Sequence, residues 1–79
     1  MIEHMMYTVI LTPEVEDGGY SVAVPALKGC HTQGETVDEA LANAREAIAA
    51  YVESLKEDGL PVPVEEAHPM SFLMDVVAA

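Results

Sequence analysis

Cysteine, basic side chains and long apolar runs are all scarce in this 79-residue sequence. The single cysteine, Cys30, excludes an internal disulfide and an all-cysteine zinc site, so stability must come from packing and from association. No stretch approaches the roughly 18 apolar residues of a membrane-spanning helix, and Met1-Ile2-Glu3-His4-Met5 lacks the basic region of a secretory signal. A cytoplasmic location is the expectation. Three Lys and Arg stand against fourteen Asp and Glu, a formal net charge of -11. That excess disfavours phosphate backbones and anionic lipid headgroups, and it attracts a basic partner. Neither direct nucleic-acid binding nor membrane association is expected.

What is present suffices for one small domain. Hydrophobic residues make up 51% of the chain, which argues against disorder. A chain of this size buries only about 60% of its unfolded surface, which leaves room for partners to complete the core. His4-Met5-Met6 looks like a cloning-site scar ahead of a natural initiator at Met6. Residues 1–5 are therefore set aside as an expression scar, and the domain is taken as residues 6–79.

Residues 7–12 alternate, with Tyr7, Val9 and Leu11 on one face and Thr8, Ile10 and Thr12 on the other, which predicts a strand ended by Pro13. Glu14-Val15-Glu16-Asp17-Gly18-Gly19 then supplies a charged turn with two residues tolerant of positive φ. Tyr20, Val22 and Val24 recur at period two until Pro25, and residues 30–33 are long enough for a third strand closed at Gly34. Thr36-Val37-Asp38-Glu39 is a capping box, in which the Thr36 hydroxyl accepts from the N–H of Glu39 and the Glu39 carboxylate reaches back to the N–H of Thr36. A helix of roughly five turns follows. Its buried stripe is Val37, Ala40, Leu41, Ala44, Ile48, Tyr51, Val52 and Leu55, and Gly59 with Pro61 stops it. The alanines allow the helix backbone close to a sheet. Pro61 and Pro63 stiffen a connector that continues as a polar loop through Glu65, Glu66 and His68, and residues 71–77 alternate as a fourth strand.

The order β-β-β-α-β predicts an α+β, two-layer domain: a three-to-four-stranded antiparallel sheet covered on one face by one long helix. The second face is left open. If Leu, Ile and Met side chains populate it, leaving them wet costs about 25 cal/mol per Å², and association into a homo-oligomer, a dimer or tetramer, is the remedy. Thr8, Thr12, Ser21 and Gln33 would make the same face polar enough to stay open.

Tyr7-x-Val9, Glu16-Asp17-Gly18-Gly19-Tyr20-Ser21-Val22, Pro25-Ala26-Leu27-Lys28-Gly29-Cys30-His31-Thr32-Gln33-Gly34, Thr36-Val37-Asp38-Glu39-Ala40 and Asn43-Ala44-Arg45-Glu46-Ala47-Ile48, in this order and spacing, resemble the HicB family of antitoxins. The resemblance covers roughly two thirds of the chain. It implies a partial ribonuclease H-like β-β-β-α-β module that binds and blocks a small basic HicA-like toxin, an mRNA-cleaving ribonuclease with a double-stranded-RNA-binding-like fold. Two departures stand out: Lys28 occupies a position where family members often have Pro, and nothing after Ala79 supplies the DNA-binding domain that usually follows. A stand-alone HicB-like domain without operator binding is expected.

The candidate partner-binding residues are Glu14, Glu16 and Asp17, whose carboxylates at a hairpin tip suit Lys and Arg on a ribonuclease, together with Tyr20 and His31. The tip is otherwise a solvated turn. Cys30-His31 suggests an activated thiolate, but neighbours in a strand point to opposite faces, so Cys30 is assigned to the core and His31 to the outside. His68 with Glu65 and Glu66 lacks metal-ligand spacing and reads as a solvated loop. No catalytic residue, metal or cofactor is assigned. A metal-dependent nuclease is the less favoured alternative, since only Asp75 lies within a predicted strand. An orphan structural or small-ligand-binding homo-oligomer without a toxin is the other.

Overall fold

The computed structural model describes residues 4–78, so the proposed scar falls partly, at residues 1–3, outside them. Three short strands, β1 (Ile10–Pro13), β2 (Tyr20–Ala23) and β3 (His31–Gly34), form an antiparallel sheet in the order β1-β2-β3, followed by one helix, α1 (Val37–Glu57). The register sets Thr12 opposite Ser21 and Val22 opposite Thr32. Gly18 and Gly19, with φ of 77° and 76°, turn the first hairpin, and the N–H of Glu14 donates to the Gly19 carbonyl at 2.9 Å. Both positions favour glycine. The second connection folds tightly, with Leu27 N–H donating to Val24 and Cys30 N–H to Leu27, each at 3.0 Å.

β1 begins three residues later than the alternation from Tyr7 suggests. In the β1–β2 register Thr8 would face Pro25, which has no N–H, so the ladder has nothing to continue with. Thr8 finds its partner elsewhere, as described below.

α1 has 21 residues. Thr36 caps it, its hydroxyl accepting from the Glu39 N–H at 3.1 Å, but the Glu39 carboxylate accepts from the N–H of Glu35 at 3.2 Å instead of from Thr36. The capping box reaches one residue further back than expected. At the other end the Gly59 N–H donates to the Lys56 carbonyl and the Leu60 N–H to Leu55, with Gly59 at φ 68°, so the orphan carbonyls are closed by a left-handed glycine.

The helix lies mainly on β3 and next on β2. Ala40 and Ala44 are its buried residues, and with Val22 they form one core cluster; Val24, Leu27 and Cys30 form the other. Val22 and Leu27 are the largest fully buried side chains, each contributing about 2 kcal/mol through its burial. Close approach is built in at Gly34, where a Cβ would lie 2.4 Å from the Ala40 nitrogen. Two stripe residues, Val37 and Leu41, are exposed instead of buried, because the helix leans toward β3 and leaves the flank beside β1 uncovered.

Past the helix, the connector is anchored where a polar loop was expected. The Tyr7 hydroxyl donates to the Pro63 carbonyl at 2.6 Å, the Thr8 N–H to Glu65 Oε1 at 2.9 Å and the Thr8 hydroxyl to Glu65 Oε2 at 2.6 Å. His68 Nδ1 also meets Glu65 Oε2. Hydrogen bonds from the Thr8 hydroxyl and N–H, then from His68, hold the Glu65 carboxyl down at about 2. The nearby Glu65 charge, after desolvation, pushes the Tyr7 phenol up.

The fourth strand expected at residues 71–77 does not join the sheet. That segment is unladdered, and its apolar side chains are exposed, from 70% at Val76 to 105% at Leu73. Alternation fixes an extended habit without supplying an edge to pair with. The open sheet face also differs from the apolar one that favoured association: pleat parity places Ile10, Thr12, Ser21, Ala23, His31 and Gln33 there, with Ile10 its single large aliphatic. Much of the molecule's wet apolar surface lies in its C-terminal segment.

Candidate functional site

The first hairpin, the end of β3 and the start of α1 converge on one side of the sheet. Gly34 makes this possible, since only a residue without a Cβ lets the helix N-terminus press against the strand end. A hollow of about 490 Å³ results, lined by Glu14, Asp17, Tyr20, Gln33, Glu35 and Glu39 among others. Four of these carry carboxylates, and no lining residue is basic. Tyr20 lines it too, half-buried and packed on the cluster of Val22, Ala40 and Ala44. The Asn43 amide donates to the Gln33 carbonyl at 2.7 Å and ties helix to strand at the rim.

The N-terminus of α1 lies beside these carboxylates, with Asp38 and Glu39 in its first turn. Chemically, the hollow is an acceptor site. The Ser21 hydroxyl is turned to the Thr12 carbonyl at 3.5 Å, and no His or Cys lines the hollow to activate a nucleophile. An Arg or Lys side chain entering it would find several oxygens and an aromatic surface, the pairing that gives charge-assisted hydrogen bonds and cation–π contact.

Of the five candidate residues, the structure brings Glu14, Asp17 and Tyr20 together. Glu16 is exposed on the turn but does not line the hollow, and His31 lies on the opposite helix flank, in a broad groove with Ala47, Tyr51 and Ser54. Cys30 is buried beside His31, and burial pushes its thiol up, away from the reactive thiolate. Gln33, Glu35, Glu39 and Asn43 escaped the sequence reading as site residues. Their signal was the capping box itself: once Gly34 abuts the helix start, Glu35 and Glu39 must face the hairpin tip.

Among the described residues no helix is long and apolar enough to cross a membrane. The family model described as the HicB-like antitoxin of bacterial toxin–antitoxin systems matches residues 7–76. A UPF0150 protein of Thermoplasma acidophilum is 54% identical over 67 residues, covering 85% of this chain and 96% of its own length. A second UPF0150 protein, from Synechocystis, is 50% identical over 70 residues, covering 86% and 87%. Antitoxin HicB 1 of Photorhabdus laumondii is 41% identical over 64 residues, 81% of this chain but 41% of the longer relative.

Proposed function

The chain belongs to the family of HicB-like antitoxins, and from that premise we propose that it neutralises a small basic HicA-like toxin by occlusion, without catalysis of its own. The observation that carries this reading is the hollow in which Glu14, Asp17, Glu35 and Glu39 surround Tyr20 with no basic side chain in the lining. A cationic side chain of the toxin docks there, while the rest of a molecule with net charge -11 steers the encounter. Glu16 and His31 contribute outside the hollow, Glu16 to steering and His31 to a secondary contact on the far flank. The protein acts in the cytoplasm and self-associates.

The test uses the purified chain and a small basic HicA-like toxin, with binding followed by stopped flow at two salt concentrations and RNA cleavage by the toxin followed in parallel. Wild type should bind and suppress cleavage. Changing Glu14, Glu16 and Asp17 together to Lys should slow association by about tenfold or more and flatten its salt dependence. Unchanged association kinetics would remove the hairpin tip from the site, and binding that leaves cleavage intact would remove the antitoxin reading.

A further inference from the structure

The molecule exposes more surface than its mass accounts for. Its accessible area is 6626 Å², whereas a compact chain of 8.5 kDa should show roughly 4,700 Å². The radius of gyration is 15.3 Å, against about 12 Å for a compact domain of this length. The long axis of 53 Å comes with a C-terminal segment whose apolar side chains are almost fully exposed. The surplus area, on the order of 1,900 Å² for one chain, exceeds the roughly 800 Å² that each partner gives to a standard protein–protein interface and suffices for a larger, obligate one.

The sheet has two edges, and they differ. Glu14 N–H bonds to Gly19 and Val24 N–H to Cys30, so in steps of two Ile10 and Thr12 direct their backbone groups to β2, while Thr32 and Gly34 also face β2. Leu11 on one edge and Gln33 on the other therefore point outward. The Gln33 carbonyl is already taken by the Asn43 amide, and the helix packs most closely against β3. The Leu11 edge carries no such plug among the described residues. Below it runs an apolar groove of about 360 Å³, lined by Tyr7, Val9, Leu41, Ala44, Arg45 and Ile48.

We propose that residues 70–77 of one chain add as a fourth strand to the outer edge of β1 of a second copy and seat alternate apolar side chains, Phe72, Met74 and Val76, in that groove. The proposal deepens the self-association proposed above and rests on it. A second copy is the occupant that suits this surplus: the chain's own residues 71–77 lie off the sheet with their apolar side chains exposed, although Glu65 is tied to Thr8, and one tail and one groove per chain let both copies remove apolar surface from water at once. The exchange is reciprocal: each copy offers one tail and one edge, so the assembly closes as a two-fold dimer.

The experiment measures mass by light scattering and sedimentation on the full chain, with amide hydrogen exchange on the same samples. Wild type should be a dimer in which the amides of Leu11 and residues 71–77 exchange about tenfold or more slowly than in a monomer. The double variant Leu73→Pro, Met74→Pro, which removes donors on both sides of the tail, should be monomeric with its helical signal intact, and Leu41→Glu in the groove should give the same monomer. A double-proline variant that stays dimeric overturns the strand exchange while leaving self-association standing. A monomeric wild type overturns both, and a monomer with protected tail amides replaces exchange with pairing inside one chain.

Discussion

The body of the molecule, from the first hairpin through α1, and the segment after residue 57 are built on opposite terms. In the body, local signals agree with tertiary contacts: the Gly18-Gly19 turn, the Thr36 cap and the buried alanines all serve one packed arrangement. After the helix the chain makes few attachments, chiefly Tyr7 to Pro63 and Thr8 to Glu65, and then carries exposed apolar residues to its end. A short chain can afford only one core. The difference teaches that apolar alternation builds a core only where an edge is there to pair with: in the body it packs, and in the tail it leaves apolar side chains exposed.

The sharpest way to break the comparison is at Gly34. Its substitution by Ala sets a methyl 2.4 Å from the Ala40 nitrogen and 2.6 Å from its Cα, contacts with backbone that cannot rotate aside. The helix start must move off β3. A loss of about 3 kcal/mol or more is expected, enough to leave so small a domain largely unfolded in thermal melts. The same change should scatter Glu35 and Glu39 from the acidic hollow. Ala44→Leu acts more mildly on the same interface, inserting volume where the helix touches Val22, and should lower stability by about 1–3 kcal/mol in urea titrations. An Ala44→Leu protein as stable as wild type would mean the helix rides looser on the sheet than this packing allows.

The body was largely legible in the sequence and the rest was not, for reasons of range. Thr36 and Glu39, Gly59 and the stripe of Ala40 and Ala44 act within a few residues of each other, so spacing alone exposes them. Pleat parity likewise put Cys30 inside and His31 outside. Glu65 meets Thr8 across 57 positions, and no local pattern marks a loop carboxylate as an anchor. The tail fails differently: its alternation is readable, but a strand needs an edge, and which edge is free depends on Pro25, Asn43 and the tilt of the helix together. Half of the acidic hollow was hidden in the same way, because Glu35 and Glu39 join Glu14 and Asp17 only after the helix has docked.

The smallest effect, and the one that most finely separates the two regions, is acid release of the connector. The body is held chiefly by apolar contacts and backbone hydrogen bonds, which do not titrate; the connector is held by the Glu65 carboxylate, which does. Its value of about 2 lies below the ordinary 4.5, so the attachment is fully present above the ordinary value and is lost as pH falls through the depressed one. Amide and side-chain NMR signals of Tyr7 and Thr8 should therefore shift between about pH 4.5 and 2. Glu65→Gln keeps one carbonyl oxygen to accept from Thr8 but loses the charge, so it should show the released spectrum of Tyr7 and Thr8 already near neutrality, with helical signal unchanged. If the Tyr7 and Thr8 signals titrate identically in wild type and in Glu65→Gln, the carboxylate is not what fastens the connector, and the separation of an anchored tail root from a self-sufficient body fails with it.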